Sequence, residues 1–152
     1  MTQLNVRIVK LDPLRAASAW GFGPGPEEVA WQNLAAWAGP RGLLDSARAP
    51  RIFGFNNPSP SVGSPNYGYE FWLVVAPDVE PAGDIRLQAF AGGLYAVLPI
   101  EVSGDPGEVI PAAWQELDKW VADSAYRPGT HQWLEEHSPV GLPIALYYPI
   151  AE

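Results

Sequence analysis

A seven-residue pattern, W-Q-x-L-x-x-W, is written twice in this chain. Trp31-Gln32-Asn33-Leu34-Ala35-Ala36-Trp37 returns 83 residues later as Trp114-Gln115-Glu116-Leu117-Asp118-Lys119-Trp120. Self-similarity of this kind marks a duplicated supersecondary unit. At about 100° per residue, Ala30, Trp31, Leu34, Trp37 and Ala38 fall within one arc of about 120°. Ala113, Trp114, Leu117, Trp120 and Val121 occupy the equivalent arc of the second copy, joined by Ile110. Each copy predicts a helix with one broad apolar face that needs a sheet to cover it. Pro26 followed by Glu27 and Glu28 suits a first helical turn, where a missing N–H is harmless and negative charge is favoured. Gly39-Pro40 suits its end. Pro111 marks the first turn of the second helix in the same way, with Arg127-Pro128-Gly129 beyond it.

The surroundings of the two helices repeat as well. Before them lie the β-like stretches Val6 to Leu11 and Arg15 to Phe22, then Ile85 to Phe90 and Tyr95 to Val102; after them lie Arg51 to Asn56 and Tyr67 to Val75, then His131 to His137 and Ile144 to Ile150. Asp12-Pro13 and Gly92-Gly93 are turn signals between the early strands, and the Pro-, Ser- and Gly-rich stretch from Asn57 to Asn66 reads as an irregular loop. Gly21-Phe22-Gly23-Pro24-Gly25 lacks the Gly-Lys-Ser/Thr of a phosphate loop and reads as a connection from strand to helix. The expectation is an α+β fold made of a duplicated β-α-β-β (SHS2-type) repeat, with residues of about 4–80 in one copy and about 83–152 in the other. The two helices lie on one side of an antiparallel sheet, and a ligand cleft on the other side runs between the repeats.

At 152 residues, 47% of them apolar, the chain suits a single domain with a substantial core. No run of 18 apolar residues and no N-terminal signal-peptide core is present, so a cytoplasmic protein without a membrane association is expected. With no cysteine, disulfides and thiolate metal sites are excluded. The formal charge of −8 and only nine scattered Lys and Arg leave no basic footprint for phosphate, so direct nucleic-acid binding is not expected. His131, Glu135 and His137 share a strand face, but spacings of two and four spread them about 7 to 13 Å apart, too far for one metal ion. No metal and no cofactor is expected.

Strand alternation sorts side chains between the helix-facing core and the cleft. Ile144, Leu146, Tyr148 and Ile150 form one face of the last strand, which puts Ala145 and Tyr147 on the other. Tyr69, Phe71, Leu73 and Val75 form a core face opposite Glu70, Trp72 and Val74. Leu94, Ala96, Leu98 and Ile100 do the same opposite Tyr95. His131, Trp133, Glu135 and His137 share a face, with Leu134 on the other. The candidate cleft is therefore lined by Glu70, Trp72, Tyr95, Trp133, Glu135 and Tyr147. Carboxylates among aromatic rings suit a hydrophobic small molecule of aromatic, cationic type, because ring faces attract positive charge and a desolvated carboxylate completes the pairing.

With these residues in place, the sequence resembles the GyrI-like superfamily over essentially its whole length. That superfamily includes the effector-binding domains of multidrug-sensing transcription activators and stand-alone members. The resemblance is carried by Gly21-Phe22-Gly23-Pro24, Trp31 to Trp37, Tyr69-Glu70 (often Tyr-Asp in the family) and Gly92-Gly93-Leu94-Tyr95-Ala96-Val97. It continues through Trp114 to Trp120, Trp133-Leu134-Glu135-Glu136-His137 and Ile144 to Ile150. It implies a stand-alone small-molecule-binding domain in which Glu135 matches the glutamate that meets cationic ligands on the penultimate strand; His137 stands where the family has a tyrosine. Because the β-α-β-β pattern starts within ten residues of the N-terminus, no helix-turn-helix domain is expected ahead of it, and a separate protein partner is an open alternative. So is an enzyme: some similar stand-alone proteins hydrolyse cyclopropane-bearing genotoxins, a role that would fall to Glu135 with Trp133 or Trp72.

Overall fold

The computed structural model describes residues 4–101, 105–139 and 142–152. Its elements are β1 (Arg7–Leu11), β2 (Leu14–Gly23), α1 (Pro26–Ala38), β3 (Ile52–Asn56), β4 (Tyr67–Val74), β5 (Arg86–Phe90), β6 (Gly93–Pro99), α2 (Pro106–Ala122), β7 (Arg127–Pro128), β8 (Leu134–His137) and β9 (Pro143–Ala151), with a 3-10 turn at Ser46–Arg48. The fold is α+β, all described strand pairs are antiparallel, and the expected strands are found within a few residues of their predicted bounds. Val102, the expected end of the sixth strand, lies outside the described residues.

The chain forms two compact units. The α1 unit comprises Leu14–Phe90 and His137–Leu142. Its sheet runs β3-β4-β2-β5, and α1 packs on one face. Ala30, Leu34, Trp37 and Ala38 of the helix meet Ala17, Ala19, Ile52, Tyr69, Phe71 and Leu73 of the strands, all buried. Small residues on β2 let the helix come close. A Cβ on Gly21 would lie 2.6 Å from the Pro26 carbonyl oxygen and 2.7 Å from the Ala30 amide nitrogen, so only glycine fits there. β2 runs to Gly23, one residue past the expected end at Phe22, which leaves a shorter connection to α1 than the glycine-rich stretch Gly21 to Gly25 suggested. Tyr67 Oη donates to Glu27 Oε1 at 2.6 Å, tying the start of β4 to the first helical turn.

The α2 unit comprises Ala91–Glu136, Pro143–Glu152 and the N-terminal strand. Its sheet runs β1-β6-β9-β8, with β7 added to β9. Leu117 and Val121 of α2 pack on Ala96, Leu98, Leu146, Tyr148 and Ile150, with Ile110, Ala113, Trp114 and Trp120 at the margin. Ile144, expected in this core, is 43% exposed near the start of β9. α2 begins earlier than Pro111 suggested: Pro106 takes its first position, the Asp105 carbonyl accepts from the Glu108 and Val109 amides, and Pro111 sits inside the helix.

The β-α-β-β order occurs twice, as β2-α1-β3-β4 and, with the two-residue β7 interposed after the helix, as β6-α2-β8-β9, and each unit adds one strand from the other half of the sequence. β1 pairs with β6 from Arg7↔Val97 to Leu11↔Gly93, and β5 pairs with β2 from Leu14↔Phe90 to Ser18↔Arg86. The segments at Asp12-Pro13 and Ala91-Gly92 thus pass the chain from one unit to the other without closing a hairpin.

Candidate functional site

The α1 unit gathers polar and aromatic side chains on the sheet face away from its helix. Alternation sends Ala17, Ala19 and Gly21 of β2 towards α1, and so places Ser18, Trp20 and Phe22 on the other face. The β2–β4 register sets Ser18 opposite Trp72 and Trp20 opposite Glu70. The β3–β4 register sets Phe53 opposite Trp72 and Phe55 opposite Glu70. At the centre is the half-buried Glu70 carboxylate. Its Oε2 accepts from Ser18 Oγ at 2.7 Å and from Trp72 Nε1 at 2.6 Å. Its Oε1 accepts from Asn57 Nδ2 at 3.0 Å. Three donors fix the orientation of one carboxylate. Around it stand Trp72, which meets Phe55 edge-on at 4.9 Å and Phe90 at 5.4 Å between centroids, and Trp20, whose Nε1 donates to the Asn57 carbonyl at 2.7 Å.

The equivalent face of the α2 unit carries Tyr95 and Tyr147. Their rings meet edge-on at 5.5 Å, and Tyr95 also contacts the His131 ring at 4.8 Å. Tyr95 is fully buried and donates to the Gln132 carbonyl at 2.5 Å. Tyr147 Oη donates to Glu136 Oε1 at 2.6 Å. Burial, and secondarily the neighbouring Tyr147, pushes the ionisation of Tyr95 well above the ordinary phenol range.

Trp133 and Glu135 lie elsewhere. Trp114 of α2 donates from Nε1 to Glu135 Oε2 at 3.2 Å. Trp133 packs on Trp114 at 5.4 Å and on Tyr148, a helix-facing residue, at 4.2 Å. The two residues sit beside helix α2, not on the face of Tyr95 and Tyr147 where alternation had put them; the carboxylate on that face is Glu136. Glu135 and His137 share one side of β8 by alternation, but Glu135 meets Trp114 of α2, whereas His137 meets Tyr69 and Phe71 of the α1 unit. The strand is four residues long and begins only at Leu134, so His131 and Trp133 precede it. One side offers Glu135 and the other Glu136, and nothing in so short a pattern says which is inner. Nearby, Tyr148 Oη donates to Asp118 Oδ1 at 2.7 Å. Burial together with that hydrogen bond pushes Tyr148 up to about 12.

The six expected residues thus fall into three groups: Glu70 with Trp72, Tyr95 with Tyr147, and Trp133 with Glu135. Sequence reasoning missed Ser18, Asn57, Trp20, Phe22 and Glu136. The alternation of Trp20 and Phe22 with Ala19 and Gly21 was a usable signal for two of them. Ser18 and Asn57 become visible only through strand register.

The profile of a GyrI-like small molecule binding domain matches residues 4–136. The chain belongs to the GyrI-like family. Its fold is similar to the crystal structure of the EcmrR C-terminal domain, with TM-score 0.70 and 14% identity over 99% of both chains. The same likeness extends to EcmrR in a DNA complex, with TM-score 0.70 and 13% identity, where all of this chain spans 59% of the EcmrR chain. A hydrolase from Listeria innocua is similar at TM-score 0.67 and 13% identity, over 99% of this chain and 94% of that one. At such identities these likenesses describe the fold. No curated protein matches the chain in sequence. Among the described residues, no helix is long and apolar enough to cross a membrane.

Proposed function

We propose that this GyrI-like domain captures hydrophobic aromatic small molecules that carry positive charge, and that Glu70 is the group that recognises the charge. The observation that carries the reading is the oriented carboxylate on the sheet face away from α1, bounded by Trp72 and Phe55. A carboxylate has about four acceptor positions, and three are occupied here. Its contribution to a ligand is therefore mainly negative charge at a fixed place, while the ring faces supply apolar contact and cation–π attraction. In this reading Trp72 positions the carboxylate and walls the site. Tyr95 and Tyr147, enclosed and bonded to Gln132 and Glu136, serve packing; Trp133, just before β8, and Glu135 within it meet Trp114 of α2.

Isothermal titration calorimetry with thioflavin T, an aromatic cation, tests the assignment. Glu70→Gln keeps the size of the side chain and removes its charge, and should weaken binding about tenfold, the scale of one charge-assisted contact. Unchanged affinity in Glu70→Gln would remove Glu70 from the site.

A further inference from the structure

Two large rings of the α1 unit contribute nothing to its core. Trp20 and Phe22 are 49% and 50% exposed, on the stretch of β2 that runs past β5 and pairs with β4 alone. Their rings are near-parallel, 24° apart with centroids at 5.8 Å, so their exposed surfaces form one continuous aromatic patch. The only polar atom of the Trp20 side chain is already used, donating to the Asn57 carbonyl. What Trp20 offers to its surroundings is therefore ring surface alone.

The patch is joined to the carboxylate. Trp20 lies directly across from Glu70 on β4, and Asn57 holds both, accepting from the indole through its carbonyl and donating to Glu70 through its side chain. Phe22 lies across from Gly68, which has no side chain to cover it. A Cβ on Gly68 would fall 1.9 Å from the Asn57 carbonyl oxygen, so that position cannot gain a covering side chain while Asn57 keeps its place. Two rings kept half in water at the end of an oriented carboxylate gain by being covered, since removing apolar area from water is favourable. The charge beside them selects what covers them.

Resting on the assignment of Glu70 above, we infer that Trp20 and Phe22 form the selectivity element of that site, receiving the second ring system of an extended aromatic cation. The preferred ligand carries two or more ring systems, its cationic part near Glu70 and its far rings on the Trp20–Phe22 patch. A compact single-ring ammonium ion satisfies Glu70 and leaves the patch bare.

The test compares thioflavin T, which has two ring systems, with benzyltrimethylammonium, which has one, by calorimetry on the full chain, Trp20→Ala/Phe22→Ala, Trp20→Phe/Phe22→Leu and Glu70→Gln. The double alanine variant should bind thioflavin T about tenfold or more weakly while benzyltrimethylammonium changes by less than about threefold. The Phe/Leu variant, which keeps apolar bulk and answers any loss of folding in the alanine variant, should recover part of the difference. Glu70→Gln should weaken both probes. If the double variant leaves thioflavin T unchanged, or weakens both probes equally, while Glu70→Gln still weakens them, the inference fails and the Glu70 assignment stands. If Glu70→Gln affects neither probe, both fall. Light scattering on the same samples supplies a third contradiction: a wild-type dimer that the double alanine variant abolishes would mean that a second copy covers the rings.

Discussion

On the sheet face away from α1, Glu70 is held by Ser18, Trp72 and Asn57 beside two half-exposed rings. On the corresponding face of the α2 unit, Tyr95 and Tyr147 are almost entirely enclosed, and their hydroxyls are spent on Gln132 and Glu136. Both faces come from the same β-α-β-β order, and both combine aromatic rings with a carboxylate. They differ in which group is central. In the α1 unit the charge is central and the rings reach solvent; in the α2 unit the rings are central and the carboxylate is an acceptor for one of them. Composition alone does not separate a recognition face from a packed one. Exposure and the direction of the hydrogen bonds do.

The two units should respond alike where the repeat is structural. Leu34 and Leu117 hold the same position in W-Q-x-L-x-x-W and both are fully buried. Leu34→Ala and Leu117→Ala should each destabilise the protein by about 2–5 kcal/mol in urea denaturation. A large cost in one and none in the other would break the equivalence of the two cores. Gly68→Ala should come next, at about 1–3 kcal/mol, because the added methyl must displace Asn57. It should also weaken ligand binding, since Asn57 anchors both Trp20 and Glu70. Tyr147→Phe should cost about 1 kcal/mol through the hydrogen bond to Glu136, and should leave thioflavin T affinity unchanged; a loss of affinity would move the α2 face into the site.

Alkaline titration sharpens the same contrast. Tyr148 ionises in the fold at about 12 against an ordinary 10.0, and Tyr95 is shifted in the same direction. A raised folded value means that the neutral phenol stabilises the fold. That contribution is whole below pH 10 and is lost as the pH rises towards 12. Phenolate absorbance should therefore show these tyrosines ionising late, with stability falling over the same interval. Early ionisation of all tyrosines would contradict the enclosure of Tyr95 and Tyr148.

Much of this was legible in the chain before any coordinates. The helix faces followed from the spacing of Trp, Leu and Ala, and β4, β6 and, apart from the exposed Ile144, β9 follow the alternation because each carries a run of alternating apolar residues long enough to mark its buried side. β8 defeated the same reasoning. With four residues and adjacent glutamates, its two sides look alike, and the choice between Glu135 and Glu136 depended on Trp114 reaching across from α2. The exchange of β1 and β5 was invisible because alternation describes a strand's two faces and says nothing about its neighbour. Pro111 misled for a related reason: a proline fits the first turn of a helix, but Asp105-Pro106, one turn earlier, fits it better.

The most direct measurement sets the two carboxylates against each other. Thioflavin T affinity should fall about tenfold in Glu70→Gln and stay at the wild-type value in Glu136→Gln. The reverse result, with Glu136→Gln weakening the ligand and Glu70→Gln leaving it unchanged, would place recognition on the α2 face and contradict the account.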